Sequence, residues 1–124
     1  AGANAIVVSN HGGRQLDGAL SSIEVLPSIV EALRGSNTEV FLDSGIRSGQ
    51  DVLKAIALGA KGTMIGRSYL YGLGAYGEKG VTKALEIIAN ELDLSMAFCG
   101  LTDINQVDEK ILVPSTIPNP FKMN

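Results

Sequence analysis

VFLDSGIRSGQDVLKAIALGAKGTMIGR, Val40–Arg67, carries two short apolar runs separated by a segment of helical period. Val40–Asp43 reads as a strand. Ser48, Gly49, Gln50 and Asp51 supply the polar opening of a helix that continues through Val52, Ile56 and Leu58, and Gly59 stops it. Gly62–Ile65 reads as the next strand. Two strands joined by one helix and short loops form a βαβ unit, whose strands run parallel.

Upstream, Ala5–Ser9 (AIVVS) is apolar without polar alternation, as expected of a parallel strand covered on both faces. Ser21 offers an N-cap for a helix carrying Ile23, Leu26, Ile29, Val30 and Leu33 at helical spacing, with Pro27 expected in its first turn and Gly35 as its stop. Downstream, a short helix is expected around Tyr69–Leu73. A longer one follows Gly77, with Val81, Leu85, Ile88 and Leu92 on one face and Gly100 at its end. Asn105–Val107 reads as one further turn, and 113–124, with three of the four prolines, as an extended tail. Residues 1–112 are expected to form one α/β unit.

Composition limits the function classes. The 124-residue chain is 45% hydrophobic and 19% charged, which suits a folded globular unit. A net charge of −3 and a pI near 5.0 argue against a broad nucleic-acid surface, so any anion site has to be local. Cys99 is the single cysteine, which rules out a disulfide framework within one chain; beside Met96 and Leu101 it reads as an inert buried thiol. No signal peptide is visible and no apolar run is long enough to span a bilayer, so a cytoplasmic location is expected, with attachment at the inner membrane surface or an organellar home as variants. The chain starts without methionine directly before its first apolar run, and is expected to be an excerpt of a longer one.

Ligands of βα folds sit beyond the carboxyl ends of the strands. The three strands end in Ser9–Arg14 (SNHGGR), Asp43–Arg47 (DSGIR) and Gly66–Ser68 (GRS), which delivers one histidine, one aspartate and three arginines to one rim. Arg47 and Arg67, beside glycines and helix starts, suit a phosphate: forked guanidinium donors, close backbone N–H groups and a helix N-terminus all favour an anion. His11 can accept a proton near neutral pH, and Arg14 can hold a carboxylate through two bonds. Asp43 could pair with Arg47, cap the following helix or contact a cofactor hydroxyl. Tyr69, Tyr71 and Tyr76 read as packing residues with wet hydroxyls. No GxGxxG follows any strand, which weakens a dinucleotide-binding reading. The order of elements leaves the open doubly wound sheet and the closed barrel as alternatives.

SNHGGRQLDG, FLDSGIRSGQDVLKAIALGAKG and MIGRSYLYGL resemble the carboxyl-terminal half of the FMN-dependent L-2-hydroxy acid oxidases and dehydrogenases, the family of glycolate oxidase, L-lactate dehydrogenase, flavocytochrome b2 and mandelate dehydrogenase. The resemblance runs to about Val107. It implies a partial (β/α)8 TIM barrel, the last three βα units plus a C-terminal helix and tail, in a flavoprotein oxidoreductase.

By the same resemblance, His11 is the catalytic base and Arg14 binds the substrate carboxylate. Ser9, Asp43, Ser44, Gly45, Ile46, Arg47, Gly66 and Arg67 bind FMN. The implied reaction turns an L-2-hydroxy acid, with lactate expected over glycolate or mandelate, into the 2-oxo acid. Ser44 stands where many members have glycine, and Ser48 where many have a second basic residue. The implied partners are the small acid, the missing amino-terminal half of the barrel and, at full length, further copies in a tetramer. Two alternatives are another phosphate-binding barrel, such as a nucleotide dehydrogenase, and a non-catalytic fragment that keeps only a phosphate or flavin site.

Overall fold

The computed structural model describes residues 2–113. Three strands, β1 (Ala5–Val8), β2 (Glu39–Leu42) and β3 (Gly62–Thr63), form one parallel sheet in sequential order. Ala5 pairs with Glu39 and Val8 with Leu42, while Phe41 and Leu42 pair with Gly62 and Thr63. Helices α1 (Ser22–Ala32) and α2 (Gly49–Ala57) make the two crossovers, and α3 (Arg67–Phe98) follows β3. Short 3-10 turns lie at His11–Gly13, Ile104–Gln106 and Glu109–Ile111.

The register places Ile6, Val8, Val40 and Leu42 on one sheet face. Val8, Val40 and Leu42 form a single core with Leu26 of α1 and Ala55 of α2, so both crossover helices cover that same face. The other face carries Val7 and Phe41. Val7 is 48% exposed, contrary to the expectation of a strand covered on both sides. A parallel strand needs cover on each face, and the described residues supply it on one only.

Local chemistry accounts for the helix starts. The Ser48 hydroxyl accepts the Asp51 N–H (3.2 Å), and the Asp51 carboxylate accepts the Ser48 N–H (3.1 Å) and the Arg47 N–H (3.0 Å), a reciprocal cap. Ser21 stands at the N-cap of α1 as expected, its N–H accepted by the Glu24 carboxylate (3.1 Å), but Pro27 is the sixth residue of that helix rather than part of its first turn. α1 ends at Ala32, with Gly35 beyond it in the left-handed region. β3 is two residues long instead of four, although the Met64 N–H still donates to the Leu42 carbonyl (2.9 Å), one ladder bond past the strand.

The two expected helices after β3 form one helical run broken at Tyr76–Gly77, where Gly77 has φ +60° and ψ −139°. Tyr71 and Tyr76 are largely exposed instead of packed, and Cys99 is exposed rather than buried. Cys99 sits at the C-cap of α3, three residues past the buried Met96. The expected tail at 113–124 lies outside the described residues, apart from the exposed Val113.

α2 packs most extensively on α3. Gly49 makes this approach workable, since a Cβ there would fall on the Leu92 backbone, and the Glu91 carboxylate accepts the Gly49 N–H (2.9 Å) at the start of α2. This contact sets α3 beside the loop that follows β2.

Candidate active site

The parallel register brings the three strand ends to one level, and the loops after them enclose a cleft of about 520 Å³. From the first loop come His11, Gly12 and Arg14; from the second, residues 43–47; from the third, residues 64–68; Leu70 closes one side. All the expected site residues line it except Ser9, which lies just outside.

The first loop is an unusual turn. His11, Gly12 and Gly13 all have positive φ (55°, 65° and 72°), a conformation natural to glycine and uncommon for histidine. Each of their amides has a partner. The Ser9 hydroxyl accepts the His11 N–H (3.1 Å), the Ser44 hydroxyl accepts the Gly12 N–H (3.0 Å), and Asn10 accepts the Gly13 N–H through its side-chain oxygen (3.1 Å). Ser9 thus holds the backbone of the loop, and Ser9, His11 and Arg14 are all exposed.

The second loop begins with the Asp43 N–H donating to the Val8 carbonyl (3.1 Å), which extends the ladder past the strand. Of the three roles open to Asp43, capping α2 is taken by Ser48 and Asp51. No ion pair joins it to Arg47 among the described residues. Its half-buried carboxylate instead accepts the Ser44 hydroxyl (2.6 Å) and borders the cleft. Ile46 turns its side chain into the core at 6% exposure, and its carbonyl lies 3.4 Å from the Ser68 hydroxyl.

Among the described residues the ion pairs are Arg34–Glu31, Lys83–Glu86 and Lys110–Asp108, so Arg14, Arg47 and Arg67 meet the cleft with no acidic partner. Arg67 reaches only the Gly12 carbonyl, at 3.4 Å. Gly66 starts α3 without a side-chain cap, which leaves first-turn N–H groups free toward the rim. Unpaired guanidiniums, uncapped helix amides and open space at Gly45 and Gly66 fit a phosphate-bearing ligand. Met64, Ile65 and Leu70 add an apolar side. Those three were given no site role in the sequence, since nothing in an apolar residue after a strand distinguishes a cleft wall from core.

A family model described as FMN-dependent dehydrogenase matches residues 1–114. The chain belongs to the FMN-dependent dehydrogenase family. Among curated relatives it is 56% identical over 112 residues to an L-lactate dehydrogenase of Pseudomonas syringae, covering 90% of this chain and 29% of that one. It is 52% identical over 111 residues to human 2-hydroxyacid oxidase 1, covering 90% and 30%. Among solved structures, a flavocytochrome b2 variant superposes with a TM-score of 0.86 at 45% identity, covering 90% of this chain and 30% of that one. A mandelate oxidase variant with a monooxide FMN adduct gives 0.81 at 50%, covering 86% and 33%.

The chain therefore spans about a third or less of the relatives it matches. These family members are TIM-barrel enzymes, which resolves the choice left by element order: the three-stranded sheet with helices on one face is a barrel segment, not half of a doubly wound sheet.

Proposed function

We propose that this chain is the part of an L-2-hydroxy acid dehydrogenase or oxidase that carries the base, the substrate-carboxylate site and the phosphate end of the FMN site. The observation that carries this reading is the joining, in one cleft at the carboxyl ends of three strands, of His11 and three guanidiniums that have no acidic partner among the described residues. Asp43, Ser44, Gly45, Ile46, Arg47, Gly66 and Arg67 would hold FMN, with Ser9 holding the backbone of the first loop. FMN, when bound, supplies the two-electron acceptor that amino-acid side chains lack.

Arg14 binds the substrate carboxylate through its fork of donors and so presents the 2-hydroxyl carbon to His11, three residues back on the same turn. His11 takes a proton from the substrate as the carbon is oxidised to the ketone. Arg47 and Arg67 neutralise phosphate. L-Lactate is the proposed substrate, and further copies of the full-length chain are the proposed assembly partners.

The test is His11→Ala in the full-length protein. FMN content stays, as read by the flavin's visible absorption, and anaerobic flavin reduction by L-lactate slows by about 10²–10⁴-fold, the usual worth of a general base. Normal reduction in that variant refutes the base assignment. A colourless protein that takes up no FMN refutes the cofactor site.

A further inference from the structure

Of the three consecutive amides in the left-handed turn, two are held from within their own loop, by Ser9 and Asn10. The Gly12 amide is held from outside it, by the Ser44 hydroxyl on the loop after β2. That hydroxyl has one proton and spends it on the Asp43 carboxylate at 2.6 Å, so its lone pairs face the first loop. They accept the Gly12 N–H and lie 3.5 Å from the Ser9 hydroxyl, which itself holds the His11 N–H. One serine hydroxyl therefore joins the carboxylate on the cofactor side to the turn that carries the base.

Ser44 reaches this position by adopting φ +69°, a region that L residues rarely occupy. The backbone there is itself anchored. Ser22, at the start of α1 and 1% exposed, places its hydroxyl 2.5 Å from the Asp43 carbonyl and 3.0 Å from the Ser44 carbonyl. Where many family members have glycine, this chain thus holds a serine in the left-handed region, with its backbone held by a buried hydroxyl and its own hydroxyl used in full.

We propose that Ser44 is a positioning residue, whose hydroxyl sets the height and orientation of the His11 turn relative to the Asp43 side of the cleft, with Ser22 as its anchor. The role given to His11 rests on the function proposed above; the strut itself does not. Proton transfer needs the imidazole within hydrogen-bond reach of its proton, whereas Arg14 can follow a small shift of the loop with its long side chain. Loosening the strut therefore slows the chemical step more than it weakens substrate binding.

The experiment compares Ser44→Gly and Ser44→Ala in the full-length holoenzyme. Both remove the hydroxyl, but only glycine relieves the positive φ, so thermal stability separates the two variants while the strut is lost in both. Amide hydrogen exchange at Gly12 is expected to accelerate about tenfold in both, the loss of roughly one hydrogen bond's protection. The limiting rate of flavin reduction by L-lactate, taken per bound FMN, falls by a similar factor in both, with the half-saturating L-lactate concentration changed less than the rate.

Unchanged exchange at Gly12 overturns the strut. Faster exchange with an unchanged reduction rate overturns the positioning role. Wild-type behaviour of the glycine variant alone assigns the effect to backbone strain and also overturns the proposal. A wild-type protein that takes up FMN but is not reduced by any L-2-hydroxy acid sinks the proposed reaction, while the exchange measurement still decides the strut.

Discussion

Arg67 belongs to the third loop yet leans on the first, its guanidinium 3.4 Å from the Gly12 carbonyl and without an acidic partner among the described residues. A cation so placed has most of its donors free for a ligand. Arg67→Ala in the full-length protein is expected to weaken FMN binding by about 10- to 100-fold, the loss of one or two charge-assisted hydrogen bonds, as read by titrating FMN into apoprotein. Unaltered affinity would place the phosphate elsewhere. Glu24 offers a titration test away from the site. The Ser21 hydroxyl and then the Ser21 N–H donate to its carboxylate and hold its pKa below the usual glutamate value. Because the folded-state pKa is depressed, the associated stability is fully present above the unfolded-state pKa and is lost as pH falls through the folded one. An NMR titration should show the Glu24 midpoint rise toward its ordinary value in Ser21→Ala, and no rise would mean that the cap does not cause the shift.

Among the elements, α2 and α3 form the contact that aligns the second and third loops, and Gly49 is where they come closest. Gly49→Ala would drive a methyl group into the Leu92 backbone, which cannot rotate away as a side chain could. The expected loss is about 3 kcal/mol or more in full-length unfolding experiments, at the upper end of overpacking costs. A variant of wild-type stability would mean that the two helices can separate at no cost. Much of this level was legible beforehand. Ser21, Ser48 and Gly59 mark helix ends because capping and stopping depend on neighbours a few residues away. The length of β3 was not legible, since Met64 and Ile65 look as strand-like as Thr63, and only the position of β2 decides where pairing stops.

At the scale of the whole molecule, the sheet formed by the described residues has two open edges. Among the described residues β1 and β3 each pair only with β2, and Val7, Leu73, Leu94 and Phe98 are about half exposed or more. Unpaired strand edges next to exposed apolar surface favour association. The 124-residue chain produced by itself is therefore expected to self-associate, and size-exclusion chromatography with light scattering would read this directly. A stable monomer would show that the open edges need no partner.

The strand–helix order, the caps and the chemistry gathered at three strand ends follow from the order of residues, because each depends on periodicity or on groups close together in the chain. The burial of Cys99 and Tyr76 was misread for a related reason: which side of a helix meets the core depends on what packs there, and neither residue's neighbours reveal it. The absence of an ion pair at Arg47, the displaced role of Asp43 and the reach of Ser44 to Gly12 needed the fold. These join residues 32 or more positions apart, or record partners that were near in the chain but were not chosen. Only the parallel register, which brings the ends of β1, β2 and β3 to one level, turns three separate loops into a single cleft.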